Sequence, residues 1–159
     1  YFSKYENIWY HGDFIEKTIN GGYVIYGRSD ATLNSGGVRI GTAEIYRQVE
    51  LLDEVLESIV VEQTLSHDSR IVLFVKLASN KKLSQRIKEK IINQIRINTT
   101  PRHVPDMIIQ VSDIPRTKSG KIVELAVKNI IDGNKVKNKE ALANPEVLKY
   151  FKNLKELEY

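Results

Sequence analysis

The sequence predicts an α+β protein, in which a small β-sheet carries packed helices and follows a separate β-hairpin. Short apolar runs typical of strands alternate with segments whose apolar residues recur every three or four positions, as in amphipathic helices. The pattern is interrupted at Gly27-Arg28-Ser29-Asp30, which divides the chain into residues 1–28 and 29–159. The 159 residues are 42% hydrophobic and 28% charged, so the second part suffices for one small packed domain.

The first predicted element is a hairpin over residues 13–26. Its strand-like halves, 14–19 and 23–26, flank Asn20-Gly21-Gly22, which tolerates the positive φ of a tight turn. Asp13 stands at the start of the first strand. Its carboxylate could accept two hydroxyls of a sugar, or it could cap its own backbone as turn aspartates commonly do.

The next segment, residues 33–41, is rich in glycine. Gly36, Gly37 and Gly41 let the backbone approach a partner closely. Thr42 is then the predicted N-cap of a helix over residues 43–52. The apolar residues of this helix recur at helical spacing and are expected to face the core: Ile45, Val49 and Leu52.

Two strands and a helix form the predicted centre of the domain. The strands cover residues 55–65 and 70–77, and the continuous apolar run 71–75 indicates burial on both faces. The helix covers residues 84–98 and ends before Pro101, since a residue preceding proline avoids the α region. One apolar stripe faces the core from this helix: Ile87, Ile91, Ile92 and Ile95.

A basic loop lies between a strand over residues 107–111 and a helix that begins near residue 122. Its sequence is Pro115-Arg116-Thr117-Lys118-Ser119-Gly120-Lys121, called the lysine loop below. Loops held between two regular elements often carry function, and Lys121 at the end of this one could direct its ammonium at an anion. The alternative is a solvated basic turn. The helix should stop at Asp132-Gly133.

The tail is predicted to end in a short helix over residues 145–154. Asn144 would cap this helix and Pro145 would take its first position. Its apolar face is expected to pack on the domain: Val147, Leu148, Phe151 and Leu154.

Composition excludes several classes of protein. No apolar run approaches the roughly 20 residues of a membrane span, and no secretory signal opens the chain. Because there is no cysteine, disulfides and thiolate metal sites are excluded, and a reducing compartment such as the cytoplasm is expected. The chain has no initiator Met, so we expect it to come from the middle of a larger polypeptide. Residues 76–102 carry eight basic side chains against one acid, which suggests an anionic partner.

Four motifs occur in a fixed order, and together they resemble the C-terminal part of the adenylate-forming superfamily. They are Tyr10-His11-Gly12-Asp13, Gly27-Arg28-Ser29-Asp30, Gly36-Gly37-Val38-Arg39-Ile40-Gly41-Thr42-Ala43-Glu44-Ile45 and the lysine loop. This superfamily includes acyl-CoA synthetases, luciferases and peptide-synthetase adenylation domains. The tail and residues 100–105 most resemble acetoacetyl-CoA synthetases. The resemblance implies an acid–thiol ligase that first makes an acyl-adenylate from a short-chain keto acid and ATP, then an acyl-CoA thioester.

The resemblance implies roles in adenylation for four residues. Asp13 binds the ribose hydroxyls and Arg28 assists from the ribose side, while Arg39 lies near the α-phosphate. Lys121 is the adenylation lysine, because a positioned cation stabilises the charge that builds on the phosphoryl oxygens. His11 stands where Thr is usual, and we expect it to leave Asp13 unaffected.

Of three further roles, one belongs to the rotation between the half-reactions and two belong to the second half-reaction. Asp30 matches the hinge about which a mobile C-terminal lid domain, residues 29–159, rotates between the half-reactions. Gly37 lines the pantetheine tunnel, where a side chain would obstruct the thiol. Arg96 matches an arginine at the 3′-phosphate of CoA.

The resemblance also implies that much of the enzyme lies in a large N-terminal domain, of which residues 1–28 are the end. The phosphate-gripping loop, most contacts to Mg-bound ATP and the acid pocket belong to that domain. Ser119-Gly120-Lys121 is no substitute, because Ile122 follows the lysine where a P-loop needs Ser or Thr. We therefore expect this chain to be inactive alone.

Two other functions stay open. The basic helix 86–96 could bind nucleic acid, although it lacks the aromatic residues of a stacking platform. The lid scaffold could also serve as a non-catalytic interaction or regulatory module. A metal site is not expected, since His11, His67 and His103 are scattered along the chain.

Overall fold

The computed structural model describes residues 5–29, 31–35, 37–136 and 138–158, which form an α+β fold. The strands are β1 Asp13–Lys17, β2 Tyr23–Arg28, β3 Leu33–Ser35, β4 Val38–Ile40, β5 Val55–Thr64, β6 Ser69–Leu77 and β7 Met107–Gln110. The α-helices are α1 Thr42–Val49, α2 Gln85–Asn98 and α3 Glu124–Ile131. A short 3-10 helix lies between α2 and β7 at Pro101–His103, and others follow α3 at Lys139–Ala141, Pro145–Phe151 and Lys155–Leu157.

The main sheet has the strand order β5-β6-β7, with β6 in the centre. β6 pairs antiparallel with β5 and parallel with β7, and α2 forms the crossover between the parallel strands. The predicted burial of residues 71–75 on both faces is confirmed, because all five are buried.

Helices cover both faces of this sheet. On one face, Ile45 of α1 and Ile91 and Ile95 of α2 pack against Leu73. On the other face, one cluster joins residues of the sheet, α3 and the tail: Ile59, Phe74, Val127 and Phe151. The rings of Phe74 and Phe151 meet edge to face with centroids 4.9 Å apart, so the tail is anchored to the sheet.

The predicted first hairpin is confirmed as β1 and β2, which pair antiparallel with a bulge between Phe14 and Ile15. This hairpin lies against the start of α1, where a Cβ added to Gly41 would collide with the carbonyl oxygen of Tyr26. Gly41 is thus needed for the close approach that the glycine-rich segment predicts. Gly37 turns between β3 and β4 with φ +80°, so this segment forms a second hairpin.

Two predicted helix caps are wrong. Helix α1 begins at Thr42, whose Oγ1 lies 3.4 Å from Oε1 of Glu124 and caps nothing. Asn144 makes no cap hydrogen bond either, because its amide is engaged by the lysine loop. The tail after it is a 3-10 helix that ends at Phe151 instead of an α-helix to residue 154.

Within the described residues, no helix combines the length and the apolar character that crossing a membrane requires.

Candidate functional site

Asp13 and Arg39 line the same cleft, which has a volume of about 470 Å³. Asp13 begins β1, Arg39 lies in the middle of β4, and the two hairpins form facing walls. Tyr10 and Ser29 close one end with a hydrogen bond of 2.8 Å between their hydroxyls. The fold therefore places one carboxylate and one guanidinium, 26 positions apart in sequence, around one opening.

Arg39 is held over the ring of Phe14, with its Cζ 5.5 Å from the ring centroid. It also lines a second cavity of about 270 Å³, which Tyr26 and Glu44 share. Cation–π contact restricts the guanidinium without neutralising it, so it can still bind an anion.

His11 contacts Asp13 directly, with Nδ1 2.5 Å from Oδ2. The expectation that His11 leaves Asp13 unaffected is therefore wrong. Asp13 is 19% exposed and His11 is 68% exposed, so the imidazole covers the carboxylate from the solvent side. The backbone of Arg28 lies opposite that of Asp13 in the register of β1 and β2.

The lysine loop is a tight, well-anchored turn. The backbone N–H of Thr117 donates to the carbonyl of Lys121 over 2.8 Å, and Gly120 turns with φ +81°. The guanidinium of Arg116 donates to the carbonyl of Gly120 over 2.7 Å and lies 3.4 Å from a carboxylate oxygen of Glu57 in β5. The ion pair of Arg116 with Glu57 thus attaches the loop to the main sheet.

The side chain of Lys121 makes none of the hydrogen bonds that anchor the loop, which involve only its backbone. It is exposed, and no carboxylate within the described ranges forms an ion pair with its ammonium. A rigid base and an unpaired cation are what an anion-binding lysine requires. The prediction of a functional lysine rather than a structural one is therefore compatible with its surroundings.

The structure leaves the other predicted site residues apart from the cleft. Lys121 lines neither cavity beside Arg39, and Arg96 is exposed in the last turn of α2. Gly37 forms the turn of the β3–β4 hairpin, one residue before β4. Asp30 lies outside the described residues.

Part of the basic charge in residues 76–102 is neutralised by distant acids. Lys76 lies 2.7 Å from Asp113, and Lys90 lies 2.8 Å from Glu54. The hydrogen bond from Lys76 lowers the pKa of Asp113, and the same bond raises the pKa of Lys76. The basic surface of residues 76–102, which includes α2, is therefore less available to a polyanion than the sequence indicates. Among the described residues, no group of three potential metal ligands is found.

Sequence reasoning missed a hydrogen-bonded link between α1 and α3. The hydroxyl of Tyr46 donates to Oε1 of Glu124 over 3.2 Å and accepts from the backbone N–H of Val60 over 3.1 Å. Burial, followed by the nearby Glu124 carboxylate, raises the pKa of Tyr46 well above its ordinary value. No periodicity signals this link, because its partners are 14 and 78 positions away.

Comparisons with known proteins agree with this fold. No protein-family model matches the chain. Over 157 residues it is 60% identical to an acetoacetyl-coenzyme A synthetase of Rhizobium meliloti, covering 99% of this chain and 24% of the relative. It is 46% identical over 160 residues to the acetoacetyl-CoA synthetase of Danio rerio, with the same shares covered. The chain thus spans about a quarter of the length of the curated relatives it matches.

Solved structures give the same picture. The acetoacetyl-CoA synthetase from Streptomyces lividans superposes with a TM-score of 0.84 at 40% identity, over 95% of this chain and 23% of that one. A benzoate CoA ligase from Burkholderia xenovorans superposes with a TM-score of 0.65 at 28% identity, over 74% of this chain and 23% of that one.

Proposed function

We propose that this chain is the C-terminal part of an adenylate-forming enzyme, and that the complete protein is an acid–CoA ligase acting on acetoacetate, because the chain resembles acetoacetyl-CoA synthetases in sequence and in fold. In the first half-reaction, a carboxylate oxygen of the acid attacks the α-phosphorus of ATP and pyrophosphate leaves. In the second, the thiolate of CoA attacks the acyl carbon and AMP leaves. The observation that carries the proposal is the exposed, unpaired Lys121 on an anchored loop, in a chain 60% identical to such an enzyme.

Lys121 would act in the first half-reaction only. Attack of one anion on another adds negative charge to the phosphoryl oxygens as the transition state forms. A cation placed there stabilises the transition state more than the ground state, which raises the rate and not merely the affinity. The ammonium of lysine is a compact point charge on a flexible stem. The planar guanidinium of arginine would have to meet the phosphoryl oxygens in a different geometry.

The cleft between the hairpins would hold the nucleotide. The carboxylate of Asp13 suits two ribose hydroxyls, and the guanidinium of Arg39 suits a phosphate. The donor set therefore fits a nucleoside monophosphate, with Arg28 assisting from the ribose side. Since no cluster of carboxylates occurs in the described part of the chain, contacts to Mg²⁺ would come from the large domain.

The lid would use a different face in each half-reaction. The β3–β4 hairpin lines the cleft through Arg39 while Lys121 does not line it, an arrangement that supports assignment to the thioester-forming state. Gly37 would then line the pantetheine path, and Arg96 would meet the 3′-phosphate of CoA. Rotation about Asp30 would bring Lys121 to the nucleotide for adenylation.

The large domain would be the partner of residues 5–28. Trp9, Ile15, Ile19 and Ile25 are each more than half exposed, although all are apolar. Apolar residues grouped on one hairpin typically mark a surface that another part of the protein covers. We propose that the domain boundary follows residue 28, where Gly27-Arg28-Ser29-Asp30 interrupts the sequence pattern, with residues 29–159 as the lid. A cytoplasmic location fits a sequence without cysteine.

The test is acid-dependent exchange of labelled pyrophosphate into ATP by the full-length protein. Exchange with acetoacetate, at a higher kcat/KM than with acetate or hexanoate, supports the proposal. This chain alone should show no exchange, because the acid pocket is proposed to lie in the large domain. Absence of exchange with every acid by the full-length protein would favour a non-catalytic module.

A further inference from the structure

We propose that Asn144, with the neighbouring residues 141–143, positions the adenylation lysine. This inference rests on the proposed function and adds a positioning residue from the tail, more than twenty positions beyond Lys121. Residues 141–144 are called the tail clamp below.

The tail clamp pairs with the lysine loop as an added strand would. Thr117 forms an antiparallel bridge with Leu142, the N–H of Lys118 donates to Ala141 over 3.1 Å, and the N–H of Ala143 donates to Arg116 over 2.9 Å. On its other side, Arg116 forms an antiparallel bridge with Ile122. Residues 116–118 are therefore held on both edges, and this mini-sheet supports the residue that carries the ammonium.

The side chain of Asn144 completes this arrangement. Its Oδ1 accepts a hydrogen bond from the backbone N–H of Arg116 over 2.9 Å, and its Nδ2 donates to the carbonyl of Ile114 over 3.0 Å. Nδ2 also lies 3.5 Å from Oδ2 of Asp113, whose other oxygen is 2.7 Å from Lys76 of β6. One amide thus connects the start of the lysine loop, through Asp113, to the central strand.

The tail clamp is itself fixed by the core. Leu142 is 6% exposed and Leu148 is 4% exposed, and both pack with Ala126 of α3. The clamp therefore has a defined position to which the loop can be tied.

Fixing the loop matters because the stem of lysine has four rotatable bonds. If the backbone at residue 121 also moved, the ammonium would reach the phosphoryl oxygens only part of the time. A misplacement of about 1 Å is enough to lower a rate about 100-fold. By contrast, thioester formation does not use Lys121 and should not depend on the clamp.

The experiment compares three variants of the full-length protein: Asn144→Ala, Ala143→Pro and the control Asn134→Ala. Asn144→Ala removes all three hydrogen bonds of the amide, and Ala143→Pro removes one main-chain donor while leaving Asn144 in place. Asn134 is exposed and lies outside the loop and the clamp. Three quantities are measured: pyrophosphate exchange, CoA thioester formation from a supplied synthetic acyl-adenylate, and the thermal midpoint.

We expect Asn144→Ala and Ala143→Pro to lower kcat for exchange about 10-fold or more. The KM for ATP and thioester formation should stay near the parental values even where the lost hydrogen bonds lower the thermal midpoint, and Asn134→Ala should resemble the parent throughout. Parental exchange rates in both clamp variants would overturn the inference. So would an equal fall in both half-reactions with a lowered midpoint, which would indicate a general folding role. If the parental protein shows no exchange, the proposed function itself fails.

Discussion

The hydroxyl of Tyr46 in α1 lies 3.2 Å from the carboxylate of Glu124 in α3, although the two residues are 78 positions apart. Helix α1 follows the β3–β4 hairpin, which contains Gly37 and Arg39, and α3 begins three residues after Lys121. This contact therefore ties together the two segments that the proposed function assigns to different half-reactions. A lid that rotates as one body requires such internal ties.

Replacing Tyr46 with Phe should destabilise the chain without changing its fold. The substitution leaves the buried N–H of Val60 without its hydroxyl partner, which costs about 1–3 kcal/mol. Urea unfolding of the 159-residue chain measures the free energy of unfolding. Tyr23→Phe is the matched control, because the Tyr23 side chain is exposed. Equal stability of Tyr46→Phe and the parent would show that the hydroxyl contributes nothing.

Tyr46 should also make the free energy of unfolding fall at alkaline pH. Because the pKa of Tyr46 is raised in the folded chain above 10.0, the phenol ionises first in the unfolded chain. Its contribution is present below about pH 10 and is lost as the pH rises through the folded value. The stability difference between the parent and Tyr46→Phe should therefore narrow above pH 10. A difference that stays constant to pH 11 would contradict this assignment.

The pair Lys76–Asp113 should make stability fall in acid. Lys76 lowers the pKa of Asp113 below its ordinary value of 3.8, so the unfolded chain binds this proton first as the pH falls. The stabilisation is present above about pH 4 and is lost as the pH drops through the lowered value. Lys76→Met should be less stable than the parent at pH 6, and the gap should close toward pH 2. Lys88→Met, a helix-surface change, should show no such convergence.

Asp13 and Arg39 should both be needed for nucleotide affinity. In the full-length protein, Asp13→Asn and Arg39→Ala should each raise the KM for ATP about tenfold, since each removes a charged group that would hydrogen-bond the nucleotide. Initial-rate kinetics with varied ATP provides the measurement. The controls Asp53→Asn and Arg47→Ala change exposed residues outside the cleft. An unchanged KM in both test variants would remove the cleft from the nucleotide site.

Gly37 offers a test that separates the two half-reactions. Gly37→Leu and Gly133→Leu both place a side chain at positive φ with open space around the Cβ, so their backbone strain is similar. Only Gly37→Leu should obstruct the pantetheine, lowering thioester formation about 100-fold while pyrophosphate exchange continues. The assay supplies a synthetic acyl-adenylate and CoA to the full-length protein. Equal thioester rates for the two variants would contradict the role of Gly37.

The regular elements could be predicted from sequence because their signals are local. The run 71–75 and the stripe of Ile91 and Ile95 indicated burial, and the structure confirms both. The cap residues could not be predicted, since Thr42 and Asn144 use their side chains on partners 82 and 28 positions away. A polar residue before a helix is a good cap candidate only when no tertiary partner competes for it.

The predicted site residues depended on motifs rather than on geometry. The order of the motifs indicated Asp13, Arg39 and Lys121, but no pattern showed that the first two share a cleft without the third. The contact of His11 with Asp13 was also missed. Residues two positions apart bring their side chains together only when the local turn allows it. The tail clamp could not be predicted either, because bridges between loops distant in sequence produce no periodic pattern.

The most direct test of the account is the rate of pyrophosphate exchange by full-length Lys121→Ala, with Lys118→Ala as control. Both lysines are exposed on the same loop, so the two changes remove equal charge from one surface. We expect Lys121→Ala to lower the exchange rate about 100-fold or more and Lys118→Ala to stay near the parental rate. An exchange rate for Lys121→Ala equal to the parental rate would contradict this prediction.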